Sequence, residues 1–369
     1  MDNLTHSLFG ATLARTRLAR AGRGTMTALI LASNAPDIDI VTTAGGAVKY
    51  LQWHRGMTHG PLGVVVLGVV AAGLVSIGLP HVDRRWPPKN PEPYAPFGML
   101  VAVSMIGVFL HVLMDLPTSY GTRLLSPFDW HWFAVDWMPI VDIYLLLALV
   151  IGLLGTPTAA QKRAKATVVL LLMAVNYGVR GAAHHQALDV APKLFGPTLP
   201  APCDPPPSTH LLDSWPRAAM PSNPPPGRRC LVEIVAMPSF TSPFAWRIIA
   251  QMSNAYEIHD IDLLEKRFRD PDANAAPWRT TLRYPNVWTP AVTTAAATHL
   301  GQVYLGFSRM PAARSAVDSQ GLTTVRWTDM RFVGGMPGLD QQRTTRTVPF
   351  TATVRIGTDG KILGEALGQ

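Results

Sequence analysis

Charge is what this sequence has least of: 15% of its 369 residues are Asp, Glu, Lys or Arg, where soluble domains average about 25%. That deficit argues against a disordered chain, a coiled coil and an ordinary soluble enzyme. Two cysteines exclude a disulfide scaffold and any Cys-rich zinc module. Gly-x-Ser-x-Gly, His-Glu-x-x-His and the Walker loop are all absent, which removes the main signals of serine hydrolases, zincins and P-loop enzymes. Basic residues outnumber acidic ones, 32 to 24, for a net charge of +8. The surplus invites a nucleic-acid partner, but the arginines fall at the ends of apolar runs and aromatic stacking motifs are missing. No nucleic acid is expected.

Long apolar runs are what the sequence has instead. Residues 61–80, 96–116, 135–155 and 164–183 predict four transmembrane helices, each about 20 residues and so long enough, at ~1.5 Å per residue, to cross a ~30 Å hydrocarbon layer. Ahead of them, 4–18 and 26–35 are apolar but short, with Arg15, Arg17, Arg20 and Arg23 around the turn between them. They predict a helical hairpin against the bundle, barely spanning or re-entrant. The arginines follow the apolar stretch, against the order of a cleavable signal peptide.

Prolines concentrate at 197–226, the mark of a stiff, extended connector. Beyond it Val348, Phe350, Ala352, Val354 and Ile356 alternate on one strand face, and Asp359-Gly360 is a hairpin-turn signal. Segments 231–237, 302–307 and 322–332 also read as strands. The expected fold is an α-helical polytopic membrane bundle, four spans plus the N-terminal hairpin, followed by a small, mostly β soluble domain. The expected domains are 1–195 in the membrane, a linker at 196–227, and 228–369 outside it.

Four spans return the chain to its starting side, so residues 1–60, the 118–133 loop and the C-terminal domain would share one side. Arg84, Arg85 and Lys89 in one intervening loop, and Lys162, Arg163 and Lys165 at the other, place those loops in the cytoplasm by the positive-inside rule. The C-terminal domain would then be periplasmic or extracellular. Cys203 and Cys230 bracket the proline-rich segment and would pair in an oxidising compartment or stay as free thiols.

His111 and Asp115 stand four apart, on one face of the same helix near its end. An ionisable pair at membrane depth needs a partner, water or a metal to offset desolvation; an interhelical hydrogen-bonded pair is the plainer alternative. Asp37 and Asp39 lie two apart in a segment whose residues also suit turns and caps. His54 and His59 come just before the first span, and His6 sits in an apolar stretch. Under the expected topology all seven share one membrane side, with only His81 and Asp83 opposite. Mixed imidazole and carboxylate ligands suit a divalent metal, zinc first, with manganese or iron open. Seven exceed the ligands of one catalytic zinc, so two metals, or one metal and a catalytic carboxylate, are both allowed.

THSLFG, PDID, HRGMTH and HVLMDLPTSYG, in this order with spans between them, resemble the YdjM-like family over roughly residues 1–155. Its members carry the label of inner-membrane metal-dependent hydrolases, and also of LexA-binding proteins, a label that an outward-facing cluster does not fit. The resemblance implies an inner-membrane location and a polar constellation of His6, Asp37, Asp39, His54, His59, His111 and Asp115, with Arg55 and Thr118 beside it. Gly60 departs from the small hydroxyl residue expected after His59.

The implied chemistry is hydrolysis of an ester or phosphoester at the membrane surface, on an amphiphilic or lipid-linked substrate drawn from the membrane lipid. Asp37 and Asp39 are each a ligand or the general base. Arg55 would stabilise charge developing on a phosphate or bind lipid headgroups. The alternative is a non-catalytic membrane protein with a structural metal site and a partner-binding β domain. Residues 129–137, with three tryptophans, read as an interfacial aromatic belt or as a lid beside the site. His210, His259 and His299 are scattered and form no constellation.

Overall fold

The structure, a computed structural model, describes residues 1–89, 92–155, 158–194, 200–203, 213–216, 229–265, 282–333 and 350–368. The chain divides into two compact units, Met1–Thr42 with Trp53–Val179, and Thr43–Gln52 with Arg180–Gln369.

The first unit is helical. Helix α1 (Asn3–Leu13) starts where the Asp2 carboxylate accepts the Thr5 N–H at 3.0 Å. It packs on α2 (Thr25–Ala32), and together they form the expected hairpin. At 11 and 8 residues these helices reach only about 16 and 12 Å, too short to cross a bilayer. A 3-10 segment (Ala35–Gly45) and α3 (Ala47–Trp53) lead to α4 (Pro61–Arg85), which Pro61 opens, and then to α5 (Phe97–Asp115). Helix α4 buries Gly63, Gly68, Ala71, Ala72 and Val75 and leaves Leu62, Val65, Val66, Val69, Leu74 and Ile77 exposed. Small residues inward and large apolar residues outward is the pattern of a helix solvated by lipid.

Among the described residues three helices are long and apolar enough to cross a membrane: α4, α5 and α7 (Ala159–Val190). The fourth expected span, 135–155, differs. Its helix α6 (Ile143–Leu153) has 11 residues, about 16 Å. The cause lies in its first third. Strand β1 (Trp132–Ala134) runs into Asp136 at φ 62°, the N–H groups of Val135 and Met138 bond back to Leu116 and Pro117, and Pro139 has no N–H to give. The helix begins only where the Asp142 carboxylate caps Leu145 N–H at 2.8 Å. Arg15 closes its far end, donating to the Gly152 and Leu153 carbonyls at 3.2 and 3.0 Å. The even span count behind the side assignment is therefore not supplied by these helices.

The second unit is mostly β. After β2 (Asp213–Trp215), strands β3 (Leu231–Pro238), β4 (Ala245–Met252), β5 (Ala255–Asp262) and β6 (Leu282–Pro285) form an antiparallel sheet in sequence order. Ala183, Ala187 and Ala191 pack against Trp246, Ile248 and Ala250 of this sheet. Helices α8 (Pro290–Ala296) and α9 (His299–Phe307) precede a second antiparallel sheet of β7 (Pro311–Val317), β8 (Thr323–Asp329), β9 (Thr351–Ile356) and β10 (Ile362–Gly368). Val235, Ile249 and Ile258 of one sheet meet Met310 and Ala312 in a shared core.

Most strand expectations agree. Ala352, Val354 and Ile356 share the buried face, and Gly360 turns the β9–β10 hairpin at φ +79°. Val348 lies outside the described residues. Segment 302–307 is helix, not strand: Thr298 caps Gly301 N–H, and Leu300, Tyr304 and Phe307 are buried at a spacing of four and three, the helical period. Within 322–332 the strand stops at Asp329, whose carboxylate accepts Arg331 N–H and starts a 3-10 turn. Cys203 and Cys230 form a disulfide. Most of the proline-rich segment lies outside the described residues.

Candidate metal centre

Close helix contacts bring the distant motifs together. Gly10, one turn past His6, and Gly107, one turn before His111, both lie against Leu29 of α2; a Cβ on either would sit 2.9 Å from a neighbouring atom. With no side chain there, α1 and α5 approach α2 together, and the His6 and His111 rings stack at 3.8 Å between centroids. The His59 turn is fixed in a similar way. A Cβ at Gly60 would collide with the Ser126 carbonyl oxygen, which accounts for glycine where the family pattern suggested a hydroxyl residue.

Asp37, His59, His111 and Asp115 each offer one ligand atom, all within 4.8 Å of one another. His111 Nε2 lies 3.4 Å from His59 Nε2, 3.4 Å from Asp115 Oδ2 and 3.6 Å from Asp37 Oδ1. His59 Nε2 stands 3.5 Å from Asp115 Oδ2 and 3.8 Å from Asp37 Oδ1. The tautomer of His111 is fixed, because its Nδ1 is 2.7 Å from the Ser33 carbonyl, which can only accept. Its Nε2 therefore carries a lone pair. Burial pushes the His59 imidazole down to about 4, so it is neutral at pH 7. Ligand atoms from two imidazoles and two carboxylates thus converge on one point, a grouping of the kind that holds a divalent cation.

The remaining predicted residues hold this set in place. Asp39 is buried and accepts the Arg55 N–H at 2.6 Å, with His54 Nδ1 at 3.3 Å and His59 Nδ1 at 4.0 Å. Burial works to raise its pKa, but the hydrogen bond and charge of His54, the charge of His59 and the Arg55 N–H together outweigh it and hold the carboxyl below its ordinary range. Arg55, at φ 50°, sends Nη2 to Asp115 Oδ2 at 3.1 Å and Nη1 to the Gly121 carbonyl at 2.8 Å, over the Tyr120 ring. Asp115 Oδ1 faces His6 Nε2 at 3.4 Å and bonds to the Met1 α-amino nitrogen. Thr118 caps the end of α5 through Asp115's backbone carbonyl rather than touching its carboxylate.

Sequence reasoning missed Ser33, Tyr120 and Gly121. Two of the three act through backbone carbonyls, which leave no signature in residue type. Within 129–137, His131 pairs with Asp129 at 2.5 Å in an exposed position, and Trp130 and Trp132 flank Arg123 at 5.2 and 4.6 Å. His184 packs edge-on to Trp246, 5.5 Å between centroids.

The chain is similar to a Bacillus subtilis (strain 168) protein, "Uncharacterized protein YfhP", with 26% identity over 156 residues. The match covers 40% of this chain and 44% of that protein, so the chain spans less than half the length of the curated relative it matches. No solved structure matches it. Residues 1–187, which hold every residue of the centre, helices α4 and α5 and most of α7, match the YdjM inner membrane protein family. The chain belongs to the YdjM inner membrane protein family.

Proposed function

We propose that this protein is a membrane-bound, metal-dependent hydrolase acting at the membrane surface on a phosphoester or lipid ester. The observation that carries the reading is the facing pair of Nε2 atoms, 3.4 Å apart, between two carboxylates. The donor set of two imidazoles and two carboxylates suits zinc first, with manganese or iron allowed. A cation bound there supplies a water of lowered pKa and an electrophile for the scissile group.

The protein's own groups have separable parts. Asp37 is the one member of the four whose side chain reaches solvent, at 18% exposure against 0% for the other three. It forms the mouth of the site, as ligand or as base for an incoming water. Asp39 is a positioning residue for His54, Arg55 and His59. Arg55 keeps one guanidinium N–H, at Nε, without an acceptor, and it is the group to meet negative charge on a phosphoryl oxygen. The accessible mouth favours catalysis over a structural metal, whose shell would be closed.

The same 3-10 segment that turns Asp39 inward exposes Ile38, Ile40 and Val41 at 54%, 60% and 64%. An apolar rim beside a polar mouth supports an amphiphilic substrate entering from the lipid. The disulfide supports an oxidising, extracytoplasmic side for the C-terminal region.

Elemental analysis of detergent-purified wild type, His111→Ala and Asp115→Ala is the test, followed by phosphoester and lipid-ester hydrolysis. Metal in wild type, lost from both variants together with hydrolysis, is the expected result. Wild type that takes up no zinc, manganese or iron on reconstitution would sink the proposal.

A further inference from the structure

We propose that Asp115 bridges two cations, the second held by His6 on the opposite oxygen from the first. The inference rests on the metal-centre reading and extends it to a dinuclear site.

Both oxygens of Asp115 are buried, and they face different partners. Oδ2 looks toward His59 Nε2 at 3.5 Å, His111 Nε2 at 3.4 Å and Arg55 Nη2 at 3.1 Å. Oδ1 looks toward His6 Nε2 at 3.4 Å and the Met1 α-amino nitrogen. A carboxylate with one imidazole set on each oxygen is the arrangement a bridging ligand requires, and two-metal hydrolytic sites hold their ions about 3.5–4 Å apart.

His6 supplies the second, independent observation. It is 0% exposed, and its polar partner is Asp115 Oδ1, 3.4 Å from Nε2, a distance too long for a good hydrogen bond. Burying an imidazole so poorly satisfied is costly, and native proteins rarely leave such a group without a purpose. Its stack on His111, with 24° between planes, fixes the ring rather than letting it turn away. A cation shared by His6 Nε2 and Asp115 Oδ1 satisfies both atoms, which a single-metal centre leaves joined only by a 3.4 Å contact.

The experiment is metal titration of the detergent-purified full chain with Mn²⁺ and with Zn²⁺, wild type beside His6→Gln and His111→Gln. Glutamine keeps polar bulk, and tryptophan fluorescence checks that each variant is folded. Wild type should take up about two equivalents and give the exchange-coupled Mn²⁺ electron paramagnetic resonance spectrum of a bridged pair. His6→Gln should retain about one equivalent, with the spectrum of an isolated Mn²⁺. One equivalent in wild type, unchanged by His6→Gln, would overturn the second site and leave the metal centre standing. Two equivalents in both, or loss of all metal from folded His6→Gln, would also overturn it. No metal in wild type would instead remove the underlying hydrolase reading.

Discussion

His59 Nε2 and His111 Nε2 face each other at 3.4 Å although 52 positions separate them in the chain. With the Ser33 carbonyl accepting from the His111 Nδ1–H, the two Nε2 atoms stand where a shared proton or a shared cation fits between them. Asp37 and Asp115 supply the matching negative charge.

Asp115→Asn should be severely destabilising. The carboxylate is fully buried and balances Arg55 at 3.1 Å, and removing one partner of a buried pair costs about 3–5 kcal/mol. Thermal unfolding in detergent should show the midpoint fall well below wild type. A variant of unchanged midpoint would mean that Arg55 finds its balance elsewhere.

Asp39→Ala should keep the metal stoichiometry and weaken the affinity. Asp39 orients His54, Arg55 and His59 without belonging to the group of four ligands, and loss of such a support costs about 10–100-fold in metal affinity. Competition with a calibrated chelator measures it. Complete loss of metal would make Asp39 a ligand.

Gly60→Ser restores the hydroxyl that the family pattern suggested, and it should damage this protein. The new Cβ meets the Ser126 carbonyl, and overpacking of this kind costs about 1–3 kcal/mol or more. Lower stability together with reduced metal content is expected; wild-type values for both would show that the 126 loop can withdraw.

Gly107→Leu should separate α5 from α2 and break the His6–His111 stack. A Cβ there already lies 2.9 Å from that of Ala32. Metal uptake by this variant should fall even though no ligand is altered. Uptake equal to wild type would show that the helix contact does not position the centre.

Cys203 and Cys230 should be unreactive to alkylation until reduced, and then take up two labels, read by intact mass. At a sequence separation of 27, the cross-link contributes about 3–4 kcal/mol by the chain-entropy relation. Labelling before reduction would place both thiols in a reducing compartment.

The periodicities were the most legible part. Helices α4, α5 and α7 were plain as apolar runs, and β9 as alternation closed by Asp359-Gly360. The 135–155 run yields a helix only over Ile143–Leu153, because hydropathy does not register Asp136, Pro139 and Asp142, which divert its first third into loop. Segment 302–307 was misjudged because a short apolar run does not reveal its period until Leu300 and the Thr298 cap are included. At the candidate site, residue type alone picked out the four grouped residues Asp37, His59, His111 and Asp115 among the seven expected, since ionisable groups in a chain this poor in charge are conspicuous.

The sequence by itself determined the membrane helices, the β-rich second half and the identity of the polar cluster, because hydrophobic period and the cost of buried charge are local properties of the chain. It could not rank the seven. Only tertiary structure grouped Asp37, His59, His111 and Asp115 within 4.8 Å of one another apart from Asp39 and His54, and turned the two oxygens of Asp115 toward different histidines. That choice depends on Gly10 and Gly107 admitting α1 and α5 to the same carbonyl of α2, and on carbonyls such as that of Ser33. Both are backbone contacts between distant segments, so no residue type announces them.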